Sequence, residues 1–204
     1  AVILVTGAGG KTGKAVVSSL LKRDNIVRVL VRDDSKHKDL DFFSDVDVVV
    51  GDMRSQSVQK SAFDGVRAVY HICPNMHQDE FEIGLDMISR ATQSQIDQFV
   101  YHSVLHPHIE DMPHHWKKMR VEEAIFASEM PFTILQPAAY MQNILTESTR
   151  IYEKQSIHVP YSTDSKSSPV DIEDVADAAS LVLNERGHLG AIYELCGPEI
   201  LTPQ

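Results

Sequence analysis

The chain has 204 residues and a mass of 22.8 kDa, and with 43% hydrophobic residues it can bury a core. Its formal charge of -10 argues against a broad phosphate-binding surface, and therefore against nucleic acid as a direct partner. Cys73 and Cys196 form no paired motif, and no apolar run reaches the ~20 residues that cross a bilayer. We expect a cytoplasmic protein without disulfides or a membrane span.

Apolar strand-like runs alternate with helical segments along the first two thirds of the chain. Such alternation with short connections requires right-handed crossovers, and hence a parallel sheet with helices on both faces. The sequence therefore predicts a doubly wound α/β domain over residues 1–136. The predicted strands are 1–5, 26–31, 46–50, 68–72, 98–102 and 132–135, and the predicted helices are one from residue 11 that closes at 22–25, then 37–43, 56–63, 80–94 and 116–128.

The rhythm becomes looser over residues 137–204. Two helices, 139–153 and 172–184, are predicted around a serine-rich loop, and a strand is predicted at 191–195. Residues 201–204 are typical of a helix start, with a threonine before a proline. We expect a small C-terminal portion on the substrate side that is incomplete and packs on the first domain.

A glycine-rich turn joins the first predicted strand to the first predicted helix. Gly7 permits a tight turn, Gly10 lets the backbone approach a pyrophosphate, and Gly13 lets the helix pack closely on the sheet. The free N–H groups and the positive end of that helix then face the phosphates. The pattern predicts a dinucleotide site. Its remaining residues are Gly9, Lys11 and Thr12.

Arg32 directly follows the second predicted strand, where an NAD-selective site usually places a carboxylate on the ribose. A guanidinium there could bind a 2′-phosphate in a bidentate manner, and Lys36 or Lys38 could add charge. We therefore expect NADP(H) to be favoured over NAD(H). The alternative is that Arg32 is solvated and that Asp33 or Asp34 contacts the ribose.

Two further turns follow predicted strands on the cofactor side of the sheet. Asp52 and Met53, after the third strand, are candidates for contact with the adenine, although an Asx-type turn explains Asp52 equally well. Cys73 and Pro74, after the fourth strand, are candidates for the lining near the nicotinamide. These four residues join the glycine turn and Arg32 in the predicted cofactor set.

Several of these features together resemble a known family. Residues 6–13, Arg32, the pair Gly51-Asp52 and residues 131–137 are similar to those of the NmrA-like branch of atypical short-chain dehydrogenases/reductases. The likeness spans almost the whole chain. It implies a Rossmann-type fold that holds NAD(P)(H), and it implies a helix that carries catalytic residues.

The resemblance also implies site residues. His114 and Lys118 match the Tyr-x-x-x-Lys pattern of ordinary members, and Ser103 matches the family serine. His114 would donate or relay a proton, since histidine titrates near pH 6.5, while Lys118 would hold the nicotinamide ribose and Ser103 would orient a carbonyl. A solvated helix face and a loop cap are the alternatives. Gln136 departs from the arginine that the family commonly has there.

The function expected from this resemblance is an NADPH-dependent reductase of a small carbonyl, quinone or similar acceptor. The alternative is a redox sensor that binds NADP(H) without turnover and acts through a protein partner. Pairing of two subunits through residues 121–127 and burial of that segment within one subunit explain its apolar residues equally well. We expect no metal site, although five histidines lie close together in sequence, namely His102, His106, His108, His114 and His115.

Overall fold

A computed structural model of the chain describes residues 1–33, 43–74 and 76–203. Within these ranges, seven strands and six α-helices alternate along the chain, with 3₁₀ turns at Phe43–Asp45 and Met141–Glu147. The strands are β1 (Val2–Thr6), β2 (Ile26–Val31), β3 (Asp47–Val50), β4 (Val66–His71), β5 (Gln98–His102), β6 (Phe132–Pro137) and β7 (Ala191–Leu195), and the helices are α1 (Lys11–Leu21), α2 (Gln56–Phe63), α3 (Glu80–Gln93), α4 (Pro113–Ala127), α5 (Ser148–Lys154) and α6 (Ile172–Asn184).

The strands form one parallel sheet in the order β3-β2-β1-β4-β5-β6-β7. The strand order reverses between β1 and β4, which are hydrogen-bonded neighbours. In open sheets of this kind, ligands bind in the crevice beyond the carboxyl ends of the strands at such a switch point. The predicted doubly wound parallel sheet is confirmed, and its crevice lies beyond the ends of β1 and β4.

Helices cover the sheet on both faces, which explains the continuous apolar run of β1. Ile3 and Val5 face a cluster that contains residues of α1 and α6, whereas Leu4 faces a second cluster with residues of α2, α3 and α4. All three side chains are fully buried. A strand covered on both faces shows no alternation of apolar and polar residues, so the unbroken run is the expected pattern.

The C-terminal elements extend the same sheet. Strand β7 pairs in parallel with β6, and α6 packs against α1, where Ser19 Oγ donates to Asp177 Oδ1 at 2.7 Å. The division of the chain at residue 136 stays a prediction. No helix in the described ranges is long and apolar enough to cross a membrane.

Two predicted helices differ from the structure in their bounds. Helix α4 begins at Pro113 and not at residue 116, because proline suits the first helical position, whose N–H has no partner in the helix. The predicted helix at 139–153 is a 3₁₀ turn followed by the short α5. Neither piece contains a buried residue, so no packing enforces a long α-helix there. The predicted helix at 37–43 lies almost entirely outside the described residues.

Candidate functional site

The glycine turn at the end of β1 has a geometry that side chains would block. Gly7 adopts a φ of +63°, and a Cβ there would lie 2.9 Å from the backbone oxygen of Ile72. A Cβ on Gly13 would lie 2.6 Å from Ala8 Cα and closer still to the Gly7 oxygen. The turn is closed by Gly10 N–H, which donates to the Gly7 oxygen at 3.0 Å. Backbone approaches therefore require glycine at positions 7 and 13.

The start of α1 leaves its first amide groups open. Gly10 is the N-cap, so no side chain caps the helix, and the first turn contains no acidic residue. The N–H groups of Lys11, Thr12 and Gly13 have no partner within the helix by its hydrogen-bond pattern. A Cβ on Gly9 would meet nothing within 4 Å, so this side of the turn has room. The open space beside the turn, the free amides and the positive end of α1 together fit a diphosphate.

Arg32 follows the last residue of β2, beside β1 in the sheet, and its side chain is exposed. Its charge is among the causes that lower the pKa of Asp52. Asp33, the alternative ribose contact, takes part in an interaction of its own. Lys36, Lys38 and Asp34 lie outside the described residues. Arg32 is thus placed at the carboxyl edge of the sheet, where a 2′-phosphate could reach it.

Asp52 forms the Asx-type turn that was one of its two expected roles. Its Oδ1 accepts from Arg54 N at 2.9 Å, and its Oδ2 accepts from Arg54 Nη2 at 3.2 Å. The hydrogen bond from the Arg54 backbone is the main reason that the pKa of Asp52 is lowered. The carbonyl of Met53 accepts from Gln59 Nε2 at 2.7 Å, and its side chain packs on the second core cluster. Contact of either residue with adenine stays a prediction.

Cys73 and Pro74 follow β4 after one intervening residue, Ile72, at the switch point. Cys73 is buried, and burial raises the pKa of its thiol to about 12. The side chain is therefore a small apolar group at neutral pH and no nucleophile. Pro74 is half-buried beside it. A role for these residues in lining the nicotinamide site stays a prediction.

One face of α4 carries three polar residues at helical spacing, namely His114, Lys118 and Glu122. Lys118 and Glu122 are buried, and His114 is half-buried at the start of the helix. This polar row explains why the helix lacks the clean apolar stripe of a core helix, although Val121 and Ile125 on it are fully buried. The helix therefore carries ionisable groups into the interior near the carboxyl ends of β4 and β5.

Lys118 is held by an internal polar cluster. Its Nζ donates to Glu80 Oε1 at 2.6 Å and to the carbonyl oxygen of His102 at 3.2 Å. Tyr101 Oη donates to the same Glu80 oxygen at 3.2 Å. Burial raises the pKa of Tyr101, so the phenol stays protonated. Sequence reasoning missed Glu80, whose only signal is an acidic residue at the first position of an amphipathic helix.

Ser103 lies in a second polar cluster, directly after β5. Its Oγ donates to Glu122 Oε1, and Gln136 Nε2 donates to both Glu122 oxygens at 3.0 Å. Burial raises the pKa of Glu122. All three side chains are buried, so the Ser103 hydroxyl points into this cluster. Gln136, the departure from the family pattern, supplies a neutral donor to a buried carboxyl group.

His114 lies one helical turn before Lys118, close enough for the charges of Glu80 and Lys118 to act on its ring. Its ring packs edge-on against His115 with centroids 4.5 Å apart, and no hydrogen bond in the described part of the chain joins it to Lys118 or Ser103. Burial is the main cause that lowers its pKa. The structure thus brings Lys118 and Ser103 to the end of β5 and leaves His114 at the outer end of the same helix face.

A third group of hydrogen bonds, which sequence reasoning did not find, reaches the glycine turn. Thr12 Oγ1 donates to Tyr140 Oη at 3.1 Å, and Tyr140 Oη lies 3.0 Å from His102 Nε2. The other ring nitrogen of His102 lies 2.8 Å from Tyr70 Oη. A polar residue at the end of a buried strand was the available signal for His102. For Tyr140, only its position after the sixth strand pointed to this edge.

His71 ends β4 in a similar buried position. Its Nδ1 lies 2.8 Å from Thr6 Oγ1, while its Nε2 has no hydrogen-bond partner within the described residues. Burial lowers the pKa of His71 to about 3, and it lowers that of His102 to the same value. Both rings are therefore neutral at pH 7. In the described ranges, no group of three or more His, Cys, Asp or Glu residues is arranged to hold a metal ion.

Comparisons with known proteins agree with this architecture. A model described as the NmrA-like family matches residues 1–204. The chain is 29% identical over 202 residues to the NAD(P)H azoreductase of Xenophilus azovorans, an alignment that covers 98% of this chain and 69% of the relative. It is 25% identical over 202 residues to quinone oxidoreductase 2 of Escherichia coli K12, which covers 98% of this chain and 70% of the relative.

Solved structures share the fold. The NADPH-dependent quinone oxidoreductase of Escherichia coli, complexed with NADPH, superposes with a TM-score of 0.87 at 25% identity, covering 98% of this chain and 71% of that one. The Citrobacter sp. triphenylmethane reductase complexed with NADP(H) gives a TM-score of 0.86 at 24% identity, covering 100% and 72%. The resemblance expected from the sequence is confirmed.

Proposed function

Because the chain belongs to the NmrA-like family, we propose that it is an NADPH-dependent reductase of a quinone, an azo compound or a small carbonyl. The observation that carries this proposal is the glycine turn, in which a Cβ at position 7 or 13 would collide with backbone while the start of α1 stays open. The azoreductase and quinone oxidoreductase relatives support the choice of acceptor. These relatives do not support the alternative of a redox sensor without turnover.

Different residues at the carboxyl ends of the strands would bind different parts of the dinucleotide. The amides of Lys11, Thr12 and Gly13 would hold the diphosphate, Arg32 the 2′-phosphate and Lys118 the nicotinamide ribose. When bound, the reduced nicotinamide supplies a hydride. Two donors of the Lys118 ammonium are used by Glu80 and the His102 carbonyl, which leaves its third N–H for a ribose hydroxyl.

Protons for the acceptor come from side chains on α4 and after β5. Since burial lowers the pKa of His114, its ring is neutral at pH 7 and would relay a proton from water between its two nitrogens. Ser103 now donates to Glu122, and burial raises the pKa of that carboxyl group. A protonated Glu122 would donate to Ser103 Oγ, which would free the serine proton for a substrate carbonyl.

The first test is turnover. We expect the protein to oxidise NADPH when a quinone or an azo dye is present, measured as loss of absorbance at the reduced nicotinamide band. The variant His114→Ala is expected to lose about 10²-fold in kcat, because it removes the proton relay, while its NADPH affinity is unchanged. No oxidation with any acceptor, despite tight NADPH binding, would overturn the reductase proposal. Full turnover by the variant would remove His114 from the mechanism.

Cofactor choice has a separate test. We expect Arg32→Ala to weaken NADPH binding by about tenfold or more and to leave NADH binding unchanged, because only NADPH offers a 2′-phosphate to the guanidinium. Calorimetric titration with each dinucleotide measures both constants. Arg23→Ala is the matched control, since it removes the same charge from an exposed ion pair with Glu185. A preference that survives in Arg32→Ala would refute the role of Arg32.

Three expectations from the sequence remain proposals. They are a cytoplasmic location, the pairing of two subunits through residues 121–127 of α4, and contact with a protein partner. Burial within one subunit explains two of the apolar residues of α4, because Val121 and Ile125 are buried in the core. It does not explain Phe126, which is 53% exposed. The exposed phenylalanine is the residue available for a contact between subunits.

A further inference from the structure

Lys118 and Glu80 form an ion pair inside the protein. The two side chains come from different helices, α4 and α3, and their exposed fractions are 9% and 1%. Glu80 is the first residue of α3, where the helix dipole favours a negative charge. Its second oxygen, Oε2, has no hydrogen-bond partner in the part of the chain that the structure describes. Within the described residues, the Glu80 carboxylate therefore accepts side-chain hydrogen bonds from Lys118 and Tyr101 only.

Glu80 is the carboxylate that directly balances the Lys118 ammonium within the described residues. Glu122 lies on the same helix face, but its hydrogen bonds go to Ser103 and Gln136. The other titratable groups that face Lys118 carry no charge at neutral pH. These groups are His71 on β4, Tyr101 and His102 on β5, Cys73 after β4 and His114 on α4. Burial lowers the pKa of His71, His102 and His114, so these rings are neutral. Burial raises the pKa of Cys73 to about 12 and also raises that of Tyr101, so both side chains keep their protons.

Two fixed hydrogen bonds determine where the remaining Lys118 donor points. An ammonium has three N–H groups in tetrahedral arrangement, and Glu80 Oε1 and the His102 oxygen accept from two of them. A lysine stem is flexible and loses side-chain entropy when it is held in one conformation. Because the protein already holds Nζ in place, a ligand that accepts the third N–H does not have to order the side chain.

We propose that Glu80 is a positioning residue, which holds the Lys118 ammonium in the charged state and in the direction that meets the ribose of the bound dinucleotide. The proposal rests on the proposed function, in which Lys118 binds that ribose. Glu80 acts through Lys118 and needs no contact with the ligand. Tyr101 fixes the Glu80 oxygen from the other side, so the carboxylate itself cannot turn away from the ammonium without losing a second hydrogen bond.

The test compares two variants of the full chain by titration with NADPH, followed through the fluorescence of the bound nicotinamide at pH 7 and pH 9. Glu80→Gln keeps the shape but removes the charge, so we expect the Kd to rise about tenfold at pH 7. We expect a further rise at pH 9, because a buried ammonium without a counter-charge loses its proton at lower pH. Glu80→Asp keeps the charge but moves the carboxylate away from Lys118, because the side chain is shorter. The Kd of this variant for NADPH should therefore rise equally at both pH values.

Glu123→Gln is the matched control, since it makes the same change on α4 in an exposed ion pair with Arg120. Its Kd should equal that of the wild type, whose Kd should be the same at both pH values. An unchanged Kd in both Glu80 variants, with wild-type binding intact, would overturn the positioning role alone. Failure of the wild type to bind NADPH would overturn the proposed function and this inference with it. Should Glu80→Gln not fold, Glu80→Asp decides by its Kd.

Discussion

Gly13→Ala is expected to abolish dinucleotide binding and to lower the free energy of unfolding by about 3 kcal/mol. The added methyl group would lie 2.6 Å from Ala8 Cα and would overlap the Gly7 oxygen. Both neighbours are backbone atoms of the glycine turn, so relief requires α1 to move away from the end of β1. That movement displaces the amides that we propose hold the diphosphate. Urea unfolding and NADPH titration measure the two effects.

Gly9→Ala is the matched control for this prediction. It adds the same methyl group two residues after Gly7, where nothing lies within 4 Å, and Gly9 does not need a positive φ. Its free energy of unfolding should therefore stay within about 0.5 kcal/mol of the wild type. Equal stability of the Gly13 and Gly9 variants would contradict the close packing of α1 on the turn. Retained NADPH binding by Gly13→Ala would contradict the assignment of the phosphate site.

Acidification from pH 7.5 to pH 5 is expected to destabilise the fold by about 4 kcal/mol through two buried histidines. In the unfolded chain, His71 and His102 take up protons near pH 6.5, whereas in the folded protein burial lowers the pKa of each to about 3. Between these values the unfolded state binds more protons, so stability falls as the pH falls. Below pH 6.5 each ring contributes a slope of about 1.4 kcal/mol per pH unit.

Among the other groups with a shifted pKa, His114 acts in the same direction as the two buried histidines, because burial lowers its pKa. The pKa of Asp52 is lowered from 3.8, so its contribution is lost below that value. The pKa of Glu122 is raised, which makes the folded state bind its proton more readily and opposes the histidines. Urea unfolding at several pH values measures the slope, and NMR of the ring protons shows directly whether the two rings titrate above pH 5.

A pair of variants assigns the slope to particular rings. His71→Asn can still donate to Thr6 and is expected to lose about half of the pH dependence. His106→Asn, which changes an exposed histidine, should leave the slope unchanged. A folded protein whose His71 and His102 resonances titrate near pH 6.5 would show that the rings are accessible to protons, and the predicted acid sensitivity would then be wrong.

The fold could be predicted from local patterns because most of its strands and helices have a recognisable sequence pattern within a few residues. The run from Val2 to Val5 is apolar because β1 is covered on both faces, and the glycines that follow mark where the backbone must approach itself. The constraint on Gly13 acts between near neighbours in sequence, Gly7 and Ala8, whereas Gly7 is constrained by the distant Ile72 and was predicted from its place in the turn. The candidate phosphate site could be proposed from the sequence because one turn and one helix start form it.

The polar clusters could not be predicted because their members meet only in the folded chain. Lys118 and Glu80 lie 38 residues apart, and Thr12 and Tyr140 lie 128 apart. Each is an ordinary helix-surface or loop residue when considered alone. Their burial follows from the packing of α3 on α4 and from the path of the chain after β6, which a propensity does not encode. The same is true of the bond that turns the Ser103 hydroxyl towards Glu122.

His102 connects the glycine turn with Lys118 through its hydrogen bonds. Its ring reaches through Tyr140 to the glycine turn on one face of the sheet, while its carbonyl oxygen receives Lys118 from the other face. His102, the last residue of β5, thus contacts groups on both faces of the sheet. A sideways displacement of the end of β5 would therefore move its contacts to the glycine turn and to the Lys118 ammonium together, so neither group can be repositioned independently of the other.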